Sequence, residues 1–365
     1  MQKRIRIKDI AKLAGVSTGT VDRIIHGRGN VSKKRREAVE SVLKEVNYKP
    51  NIHMSSISLK KKYNIVFVSP EFAEGEYWDS VHKGIQRTLD EFENIDVAYT
   101  KITYNQYDVY HCQKVFEEVL TLDMDAVIIG PIFQNITREF CKKLHVRNIP
   151  YVFVDSQVEA TFPLAFFSAN HYASGYLMSK LIHTIMKSGN DIGIMQAMRV
   201  GNESANSTIL RKSGFTDYLI ENKVENKIIS IPFSAHEPEK NDELLDSFFQ
   251  ENRNVGGIVV LNSRGHVIAN YLLKKKIHNI KLVCVDLTDE NKIALKEGWI
   301  DFLIGQKPER QGYLAMKFLI EHLIFKVPII VENILPLDIL TKETVDLYSE
   351  FNGLLYLDSY VQLIS

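Results

Sequence analysis

The spacing of apolar residues near the start of the chain predicts two short helices joined by a tight turn. Apolar side chains recur at helical intervals across residues 7–14, and Gly15 follows, where a helix commonly ends in the left-handed conformation. Ser17 is a favourable N-cap for a second helix, whose apolar residues Val21 and Ile24 share one face. The outer face of that helix then carries Thr18, Gly19, Asp22, Arg23 and His26. Such a pair predicts a helix-turn-helix, a motif that places its second helix in the major groove of DNA.

A third helix and a linker are predicted next. Ser32 can cap this helix, and apolar residues repeat at helical spacing as far as Val46. Pro50 ends it, because proline disfavours helical geometry at the residue before it. Residues 1–50 are therefore predicted to form a small all-α DNA-binding domain. Residues 51–62 are predicted to be a hinge or linker, too short to form a stable helix in isolation.

From residue 63 the pattern changes to apolar, β-branched runs that alternate with amphipathic helices. This alternation predicts parallel sheets covered by helices on both faces. About 300 residues exceed one doubly wound sheet, so residues 63–365 are predicted to form two α/β lobes with a cleft between them. The predicted strands are 64–69, 96–99, 126–130, 151–154, 164–168, 191–195, 228–231, 257–261, 281–285, 302–304 and 329–335. The predicted helices are 80–92, 109–122, 137–146, 172–186, 210–222, 242–252, 266–275 and 311–325.

Charge is distributed unevenly along a chain whose net charge is zero. Residues 1–62 carry 16 Lys and Arg against 5 Asp and Glu, a net charge of +11, and the remaining 303 residues carry −11. Neutralisation of phosphates supplies much of the affinity of proteins for DNA. A basic segment attached to an acidic body is therefore typical of a DNA-binding domain carried by a regulator.

Cysteine usage and hydropathy indicate the compartment. Cys112, Cys141 and Cys284 are far apart and lack metal-ligand spacing, which predicts buried thiols in a reducing environment. No apolar segment typical of a signal peptide follows the first charges, and no run of 18 apolar residues occurs. We therefore expect a cytoplasmic protein with no membrane span, and no motif calls for a cofactor or a metal ion.

Candidate ligand-binding residues follow from the position of the predicted strands. Ligands of doubly wound sheets bind beyond the carboxyl ends of the strands. Residues suited to binding occupy such loops, or the start of a helix after one: Tyr77, Trp78, Asp155, Asn170, Arg211, Asn262, Asp286 and Gln306. Asp155 and Asp286 are alternatively strand-end turn formers or helix caps, and Trp78 is equally a core residue. Lone histidines such as His171 are expected to be surface or satisfied core residues.

Over essentially its full length the chain resembles the LacI/GalR family of bacterial transcription regulators. The DNA-binding pattern of that family is similar to IKDIAKLAGVSTGTVDRIIHGRGNVS, followed here by Tyr48 and Pro50-Asn51. The body is similar to periplasmic-type sugar-binding proteins, with weaker marks at Val154-Asp155, at residues 211–215 and at Val285-Asp286. The resemblance implies a transcription regulator, controlled by a small carbohydrate-like effector bound between the lobes and acting as a homodimer. Its dimer surface is expected near the predicted helices 80–92 and 109–122.

The resemblance also implies roles for residues of the DNA-binding domain. It places Thr18, Gly19 and Arg23 at base edges, and it places at or near backbone contacts Ser17, Thr20, His26, Asn30 and Ser32. Arg23 is the strongest base reader on chemical grounds, because its fork can meet guanine O6 and N7, although a phosphate contact is the alternative. Gly19 departs from the pattern, since it has no side chain with which to contact a base. Asp22 either favours cytosine or is solvated.

In the hinge, the resemblance implies a helix formed on DNA, with an apolar wedge that enters the minor groove. The wedge falls on Ile57, where the family usually has leucine, and ordinary linker apolarity is the alternative reading. For the effector, the resemblance places ligand-facing roles on Asp155, Asn170, Arg211, Asn262 and Asp286, with Gln306 near the lobe crossovers. Carboxylates and an Arg fork suit vicinal sugar hydroxyls, and Tyr77 or Trp78 offers a stacking face. Asn170 stands where many relatives carry Asp.

Two other classes of protein are weighed against this interpretation. A solute-binding protein that serves a transporter would share the body, but it would not need a basic helix-turn-helix segment. An enzyme acting on sugars is the second alternative. The sequence contains no G-x-S-x-G, P-loop or G-x-G-x-x-G motif, and no histidine lies in a credible nucleophile arrangement.

Overall fold

The computed structural model describes residues 7–25, 31–45, 62–197, 200, 205–235 and 237–351. The chain divides into two compact units, Met1–Lys60 and Lys61–Ser365. Of the sequence features discussed above, several lie outside the described residues: His26, Asn30, Tyr48, Pro50-Asn51 and the hinge with Ile57.

The described part of the first unit contains three helices: α1 (Ile7–Leu13), α2 (Thr18–Ile25) and α3 (Lys33–Glu45). Gly15 has φ of 64°, the left-handed conformation expected after α1. The Ser17 hydroxyl accepts a hydrogen bond from the Thr20 backbone N–H at 3.2 Å, as an N-cap of α2 does. The buried core of this unit consists of Ile10, Ala11, Val21, Ile24 and Val39. The predicted helix-turn-helix is therefore confirmed.

The second unit contains two six-stranded sheets, which define two lobes. Lobe 1 contains β1 (Tyr63–Pro70), β2 (Val97–Tyr104), β3 (Ala126–Ile129), β4 (Tyr151–Asp155), β5 (Ala165–Ala169) and β11 (Glu332–Leu335). Lobe 2 contains β6 (Asp191–Ala197), β7 (Ile228–Phe233), β8 (Val255–Val260), β9 (Lys281–Val285), β10 (Phe302–Gly305) and β12 (Asp338–Leu340). The spatial orders are β11-β5-β4-β3-β1-β2 and β12-β10-β9-β8-β6-β7. All the pairings are parallel except that of β10 with β12.

Helices connect and cover these strands. Those of lobe 1 are α4 (Tyr77–Glu91), α5 (Val109–Val119), α6 (Gln134–Val146) and α12 (Pro308–Phe325). Those of lobe 2 are α7 (His171–Ile185), α8 (Asn206–Glu221), α9 (Asn241–Glu251), α10 (Gly265–Lys275) and α11 (Asp289–Lys296), and short 3-10 turns lie at Pro238–Lys240 and Val345–Leu347. Central strands such as β3, β4 and β8 are buried along their whole length, as expected for sheets covered on both faces. The predicted two-lobed α/β class is confirmed. Among the described helices, none is long and apolar enough to cross a membrane.

The sequence pattern missed two elements and shortened a third. β12 has three residues, too few to display a period, and α11 has eight residues. β2 continues to Tyr104, beyond the predicted end at residue 99, although Thr100 and Lys101 are exposed. It lies at the edge of its sheet, where polar side chains can face water.

The two lobes repeat the same strand order. β5-β4-β3-β1-β2 in lobe 1 corresponds to β10-β9-β8-β6-β7 in lobe 2, so β4 is the counterpart of β9. Among the described strands and the helices that join them, the chain passes from one lobe to the other after β5, after β10 and after β11. The ends of β4 and β9 therefore face each other across the cleft beside these crossovers.

In each lobe, one pair of helices packs backbone to backbone through glycines. A Cβ atom on Gly84 of α4 would lie 1.8 Å from the Glu309 carbonyl oxygen of α12, and one on Gly312 would lie 2.0 Å from the Val81 oxygen. In lobe 2, a Cβ on Gly175 of α7 would lie 1.8 Å from the Arg211 oxygen of α8. No side chain fits at these points without separation of the helices.

We expect Gly175→Ala to destabilise the body by about 1 to 3 kcal/mol through overpacking, despite the better helix propensity of alanine. Urea unfolding followed by tryptophan fluorescence measures this, because both tryptophans, Trp78 and Trp299, lie in the second unit. Gly19→Ala is the control, because a Cβ atom there has no neighbour closer than 4.0 Å. The urea midpoint of the tryptophan transition should therefore be the same in this variant as in the wild type. A Gly175→Ala midpoint at or above that of the wild type would contradict the packing argument.

Candidate functional site

Two carboxylates face the cleft from equivalent positions in the two lobes. Asp155 ends β4 with φ of 72°, and Asp286 follows β9 with φ of 71°. Residues other than glycine rarely adopt this conformation, and those that do are concentrated at functional sites. Both side chains are buried. The repeated strand order thus delivers the same residue, in the same unusual conformation, from each lobe.

Both carboxylates are held by neutral hydrogen-bond donors. Asp155 accepts from the Tyr77 hydroxyl at 2.9 Å and from the Ser156 hydroxyl at 2.9 Å. Asp286 accepts from the Ser263 hydroxyl at 2.7 Å and from the Gln306 side-chain amide. Burial raises the pKa of Asp286 above its ordinary value, although Arg211 and these two hydrogen bonds oppose the rise. Burial also raises the pKa of Tyr77 well above its ordinary value, so its phenol remains a donor.

Arg211 connects the two lobes through the crossover segments. Its guanidinium donates to the Leu261 carbonyl oxygen at 2.9 Å and to the Gln306 side-chain oxygen at 2.7 Å. A third hydrogen bond, of 3.0 Å, runs from Nη2 to Nδ1 of His171. Arg211 is only 3% exposed, so these bonds replace part of the hydration that its charge loses on burial, and its Nε has no partner among the described residues.

The neighbours of His171 determine its protonation. Because Arg211 can only donate, Nδ1 of His171 must accept, and the proton must lie on Nε2. Nε2 then donates to the Asp155 backbone oxygen at 2.7 Å. Burial, together with the charge of Arg211, lowers the pKa of His171 to about 4. His171 is thus a satisfied core residue, as expected, and it also connects Arg211 to β4.

Gln311 of α12 completes the network on the lobe 1 side. Its side-chain oxygen accepts from the Asp155 backbone N–H at 2.9 Å, and its amide donates to the Gln306 backbone oxygen at 2.9 Å. The end of β4 is therefore fixed to the crossover that follows β10. The network as a whole joins β4, β9, α8 and two of the three crossovers.

A cavity of about 430 Å³ lies in the cleft, between the loops that follow β1 and β2 in lobe 1 and those that follow β8 and β9 in lobe 2. Its described lining includes Ala73, Glu74, Gly75, Glu76, Tyr77, Trp78, Gln106, Tyr107, Asn262, Ser263, Arg264, His266, Thr288, Asp289 and Glu290. Tyr77 and Ser263 also belong to the hydrogen-bonded network, so they join the cavity to the carboxylates.

The lobes touch at the mouth of this cavity. The Arg264 guanidinium of lobe 2 lies 2.6 Å from the Glu76 carboxylate of lobe 1. The Asp289 backbone N–H donates to the Gly75 oxygen at 3.1 Å. Tyr107 of lobe 1 is buried against the core of lobe 2, with its ring centroid 6.4 Å from that of Phe233. The structure therefore has the two lobes in contact around the cavity.

The predicted effector residues fall into three groups. Asp155, Arg211, Asp286 and Gln306 join Tyr77 in the network. Trp78 and Asn262 line the cavity, and Trp78 also belongs to the core of lobe 1, so both readings of it apply. Asn170 joins neither group, because it is exposed and caps α7, where its side-chain oxygen accepts from the Ala173 N–H at 2.9 Å.

Sequence reasoning assigned no individual binding role to Ser156, His171, Ser263 or Gln311, although the first three lie in loops that it nominated. The strand-end rule carries a signal for Ser156, His171 and Ser263, since each follows a strand closely. Gln311 lies inside α12, and nothing in the sequence marks it as a partner of Asp155.

The predicted DNA-contacting residues lie mainly on α2. Ser17, Thr18, Gly19 and Arg23 are exposed, and Thr20 is half-buried. The exposed Ser32 precedes α3, and its carbonyl oxygen accepts from the N–H groups of Arg35 and Arg36 at 3.0 Å. A Cβ atom added at Gly19 would have the Ser17 hydroxyl oxygen as its nearest neighbour, at 4.0 Å. The face is accessible, and Arg23 is the longest of its exposed side chains.

Comparison with known proteins gives consistent results for both units. Residues 6–51 match the family described as bacterial regulatory proteins of the lacI family. Residues 65–326 match the family described as periplasmic binding protein domain. A solved structure from Bacteroides fragilis, described as a LacI transcriptional regulator, is 31% identical with a TM-score of 0.76. The match covers 79% of this chain and all of that one.

Two curated relatives are more distant. The HTH-type transcriptional regulator DegA of Bacillus subtilis is 27% identical over 247 residues, which cover 66% of this chain and 69% of that protein. The ribose operon repressor of Halalkalibacterium halodurans is 25% identical over 235 residues, 64% of this chain and 65% of that protein. Both relatives are transcription regulators by name.

The lowered pKa of His171 predicts a loss of stability in acid. The unfolded chain binds a proton near pH 6.5 and the folded chain only near pH 4, so the free energy of unfolding falls as the pH drops through this window. The contribution of His171 is about 2 kcal/mol between pH 6.5 and pH 5. The raised pKa of Asp286 has the opposite effect on the free energy of unfolding as the pH falls. This effect is present both in the wild type and in the His171→Gln variant.

Urea unfolding of the wild type and of His171→Gln at pH 7 and pH 5 isolates this contribution. Glutamine keeps a donor for the Asp155 oxygen but does not titrate. The variant should therefore lose less stability on acidification than the wild type. An equal loss in both proteins would show that His171 does not control the pH dependence.

Proposed function

We propose that this chain, which belongs to the LacI family of bacterial transcription regulators, binds an operator through α2 and responds to a carbohydrate-like effector in the cleft. Its relatives are transcription regulators and not enzymes. We infer repression as the mode of action, by analogy with the ribose operon repressor. Because an operator is part of the chromosome, we expect the protein to act in the cytoplasm.

The paired carboxylates and Arg211 carry the effector part of the proposal. Asp155 and Asp286 come from opposite lobes, so a ligand that engages both favours one arrangement of the lobes. Carboxylate oxygens accept from the vicinal hydroxyls of sugars, and Trp78 supplies an apolar ring in the cavity wall. The similarity of the body to periplasmic binding proteins supports the same class of ligand.

Coupling between effector and DNA follows from the chain connections. An effector changes DNA affinity only as far as it binds two arrangements of the lobes unequally, and DNA then changes effector affinity by the same factor. The network lies where the chain crosses between the lobes, so a ligand that displaces Gln306 or Arg211 changes the relation of the lobes. We assign the output to the hinge with Ile57, whose wedge role remains a prediction.

A homodimer is part of the proposal. A two-fold symmetric operator requires two copies of α2 at a fixed separation. In lobe 1, β2 lies at the edge of the sheet and is preceded by α4 and followed by α5, the two helices nominated by the sequence. We therefore propose that this edge contains the dimer surface.

On the DNA side, we expect Arg23→Ala to reduce the preference for operator over random DNA by about 1 to 3 kcal/mol, with effector binding unchanged. The exposed guanidinium is suited to a bidentate contact with guanine. Arg23→Lys is the matched control, because lysine keeps the charge but lacks the fork, so it should also lose preference. Fluorescence anisotropy on both DNAs at one salt concentration measures this. Equal weakening on the two DNAs would make Arg23 a phosphate contact.

On the effector side, thermal-shift screening of sugars first identifies a ligand, since binding to the folded state raises the melting temperature. Asp286→Asn should then abolish or strongly reduce that shift and leave operator binding intact, because the carboxylate acceptor is lost. Asn170→Ala is the control outside the network. It removes only the cap of α7, so it should lower stability by about 1 kcal/mol and retain the shift. A full response in Asp286→Asn would exclude Asp286 from the ligand site.

A further inference from the structure

The described wall of the cleft cavity is strongly acidic. Glu74, Glu76, Asp289 and Glu290 line it, and Arg264 is the single Lys or Arg among the described lining residues. His266 adds no charge near neutral pH, because burial lowers its pKa. The described lining therefore has a net charge of −3.

Three helices begin at this wall, namely α4, α10 and α11. Helix N-termini normally attract anions, because their first N–H groups lack partners and the helix dipole contributes about half a positive charge. Three such ends amount to about +1.5, which offsets only half of the acidic charge of the lining. The balance at the cavity remains negative.

At the starts of α10 and α11, side-chain oxygens already accept from first-turn N–H groups, whereas α4 has no side-chain cap and only N–H groups of the loop before it are bound in this way. In lobe 1, the Glu76 carboxylate accepts from Ala73 N–H, and the Asp79 carboxylate accepts from Gly75 N–H, both at 2.9 Å. In lobe 2, the side-chain oxygens of two asparagines do the same: Asn262 accepts from Arg264 N–H at 3.0 Å, and Asn291 accepts from His266 N–H at 2.7 Å. A phosphate would have to displace these oxygens.

The two nearby arginines are also engaged. Arg264 is paired with Glu76 at 2.6 Å across the mouth of the cavity. Arg211 belongs to the network, outside the described lining of the cavity, and its two Nη atoms donate to Leu261, His171 and Gln306, while its Nε has no partner among the described residues. Within the described part of the wall, the one arginine is paired with a carboxylate, and the uncapped start of α4 lies beside the carboxylates of Glu74 and Glu76.

What remains for a ligand is a set of acceptors. The Glu290 carboxylate lies 2.9 Å from Nε2 of His266, so that nitrogen carries the proton. Nδ1 of His266 is buried without a hydrogen-bond partner among the described residues, and it is left with a lone pair. Asp289 and Glu290 are exposed at the wall and have further acceptor capacity. Hydroxyl and ammonium groups are the donors that such a wall suits.

We propose that the cleft selects effectors that donate hydrogen bonds and carry no negative charge, a neutral sugar or an amino sugar, and that it rejects phosphorylated and carboxylated sugars. This inference rests on the proposed carbohydrate effector. It adds a rule for discrimination by charge, which the carboxylate wall imposes because the partial positive charges of the helix starts do not offset it.

Calorimetric titration of matched ligands tests this rule. The neutral pentose or hexose that binds most tightly is compared with its amino, uronate and phosphate derivatives, for example D-glucose, D-glucosamine, D-glucuronate and D-glucose 6-phosphate. At low salt we expect each anionic derivative to bind about tenfold more weakly than its neutral parent, or worse, and the amino sugar to bind at least as well. Added salt should reduce this difference in affinity between the neutral and the anionic sugars, because it screens the charges.

A pair of variants distinguishes the effect of the carboxylates that line the cavity from the effect of the net charge of the protein. Combined Glu74→Gln, Asp289→Asn and Glu290→Gln should reduce the discrimination against the anionic sugars several-fold. Combined Glu239→Gln, Glu251→Gln and Glu297→Gln removes the same charge from exposed positions outside the described lining, so it should leave the discrimination unchanged.

Two results would overturn the inference. One is an anionic sugar that binds as tightly as its neutral parent. The other is an unchanged difference in affinity between neutral and anionic sugars in the variant that combines Glu74→Gln, Asp289→Asn and Glu290→Gln. Failure of every sugar, charged or neutral, would instead contradict the carbohydrate effector itself. The two failures are therefore distinguishable.

Discussion

The body depends on how a buried positive charge is satisfied. Arg211 is almost fully enclosed, and a buried cation that loses a partner destabilises a protein by several kcal/mol. Its partners come from three separate places: a strand end of lobe 2, the crossover after β10 and the residue that opens α7. The positions of these segments are thereby tied to one another. Any rearrangement of the lobes must preserve or replace these hydrogen bonds, and this makes the site a suitable place for a ligand to act.

Much of this organisation was predictable from the sequence. The apolar runs that became β3, β4 and β8 are buried on both faces, so burial alone specifies them, and the strand-end rule then located Asp155 and Asp286. Partnerships across crossovers were not predictable, because periodicity says nothing about which helix approaches a given strand end. Gln311 is the clearest example. Asn170 is a different case: its side chain accepts from a local N–H of α7, outside the network, and its effector role stays a prediction.

The repeated lobe architecture explains why two chemically similar groups face each other. The same strand order, with an aspartate in left-handed conformation at the end of β4 and after β9, produces an approximately symmetric pair of acceptors. Symmetry ends at the wall above them, where lobe 1 contributes the start of α4 and lobe 2 contributes the starts of α10 and α11. In this proposal, the carboxylates of Asp155 and Asp286 supply the affinity for hydroxyls, and the acidic wall of the cavity supplies the discrimination by charge.

The triple passage of the chain between the lobes also has a consequence for biosynthesis. Lobe 1 is not contiguous, because α12 and β11 are translated after nearly all of lobe 2. Until they emerge from the ribosome, the α4 surface around Gly84 lacks the helix that closes on it, and β5 lacks its outer neighbour. Lobe 2 is the first part of the body that can approach completion during synthesis, apart from β12. Lobe 1 must wait until α12 and β11 have been translated, and during that interval its incomplete apolar surface is exposed to chaperones.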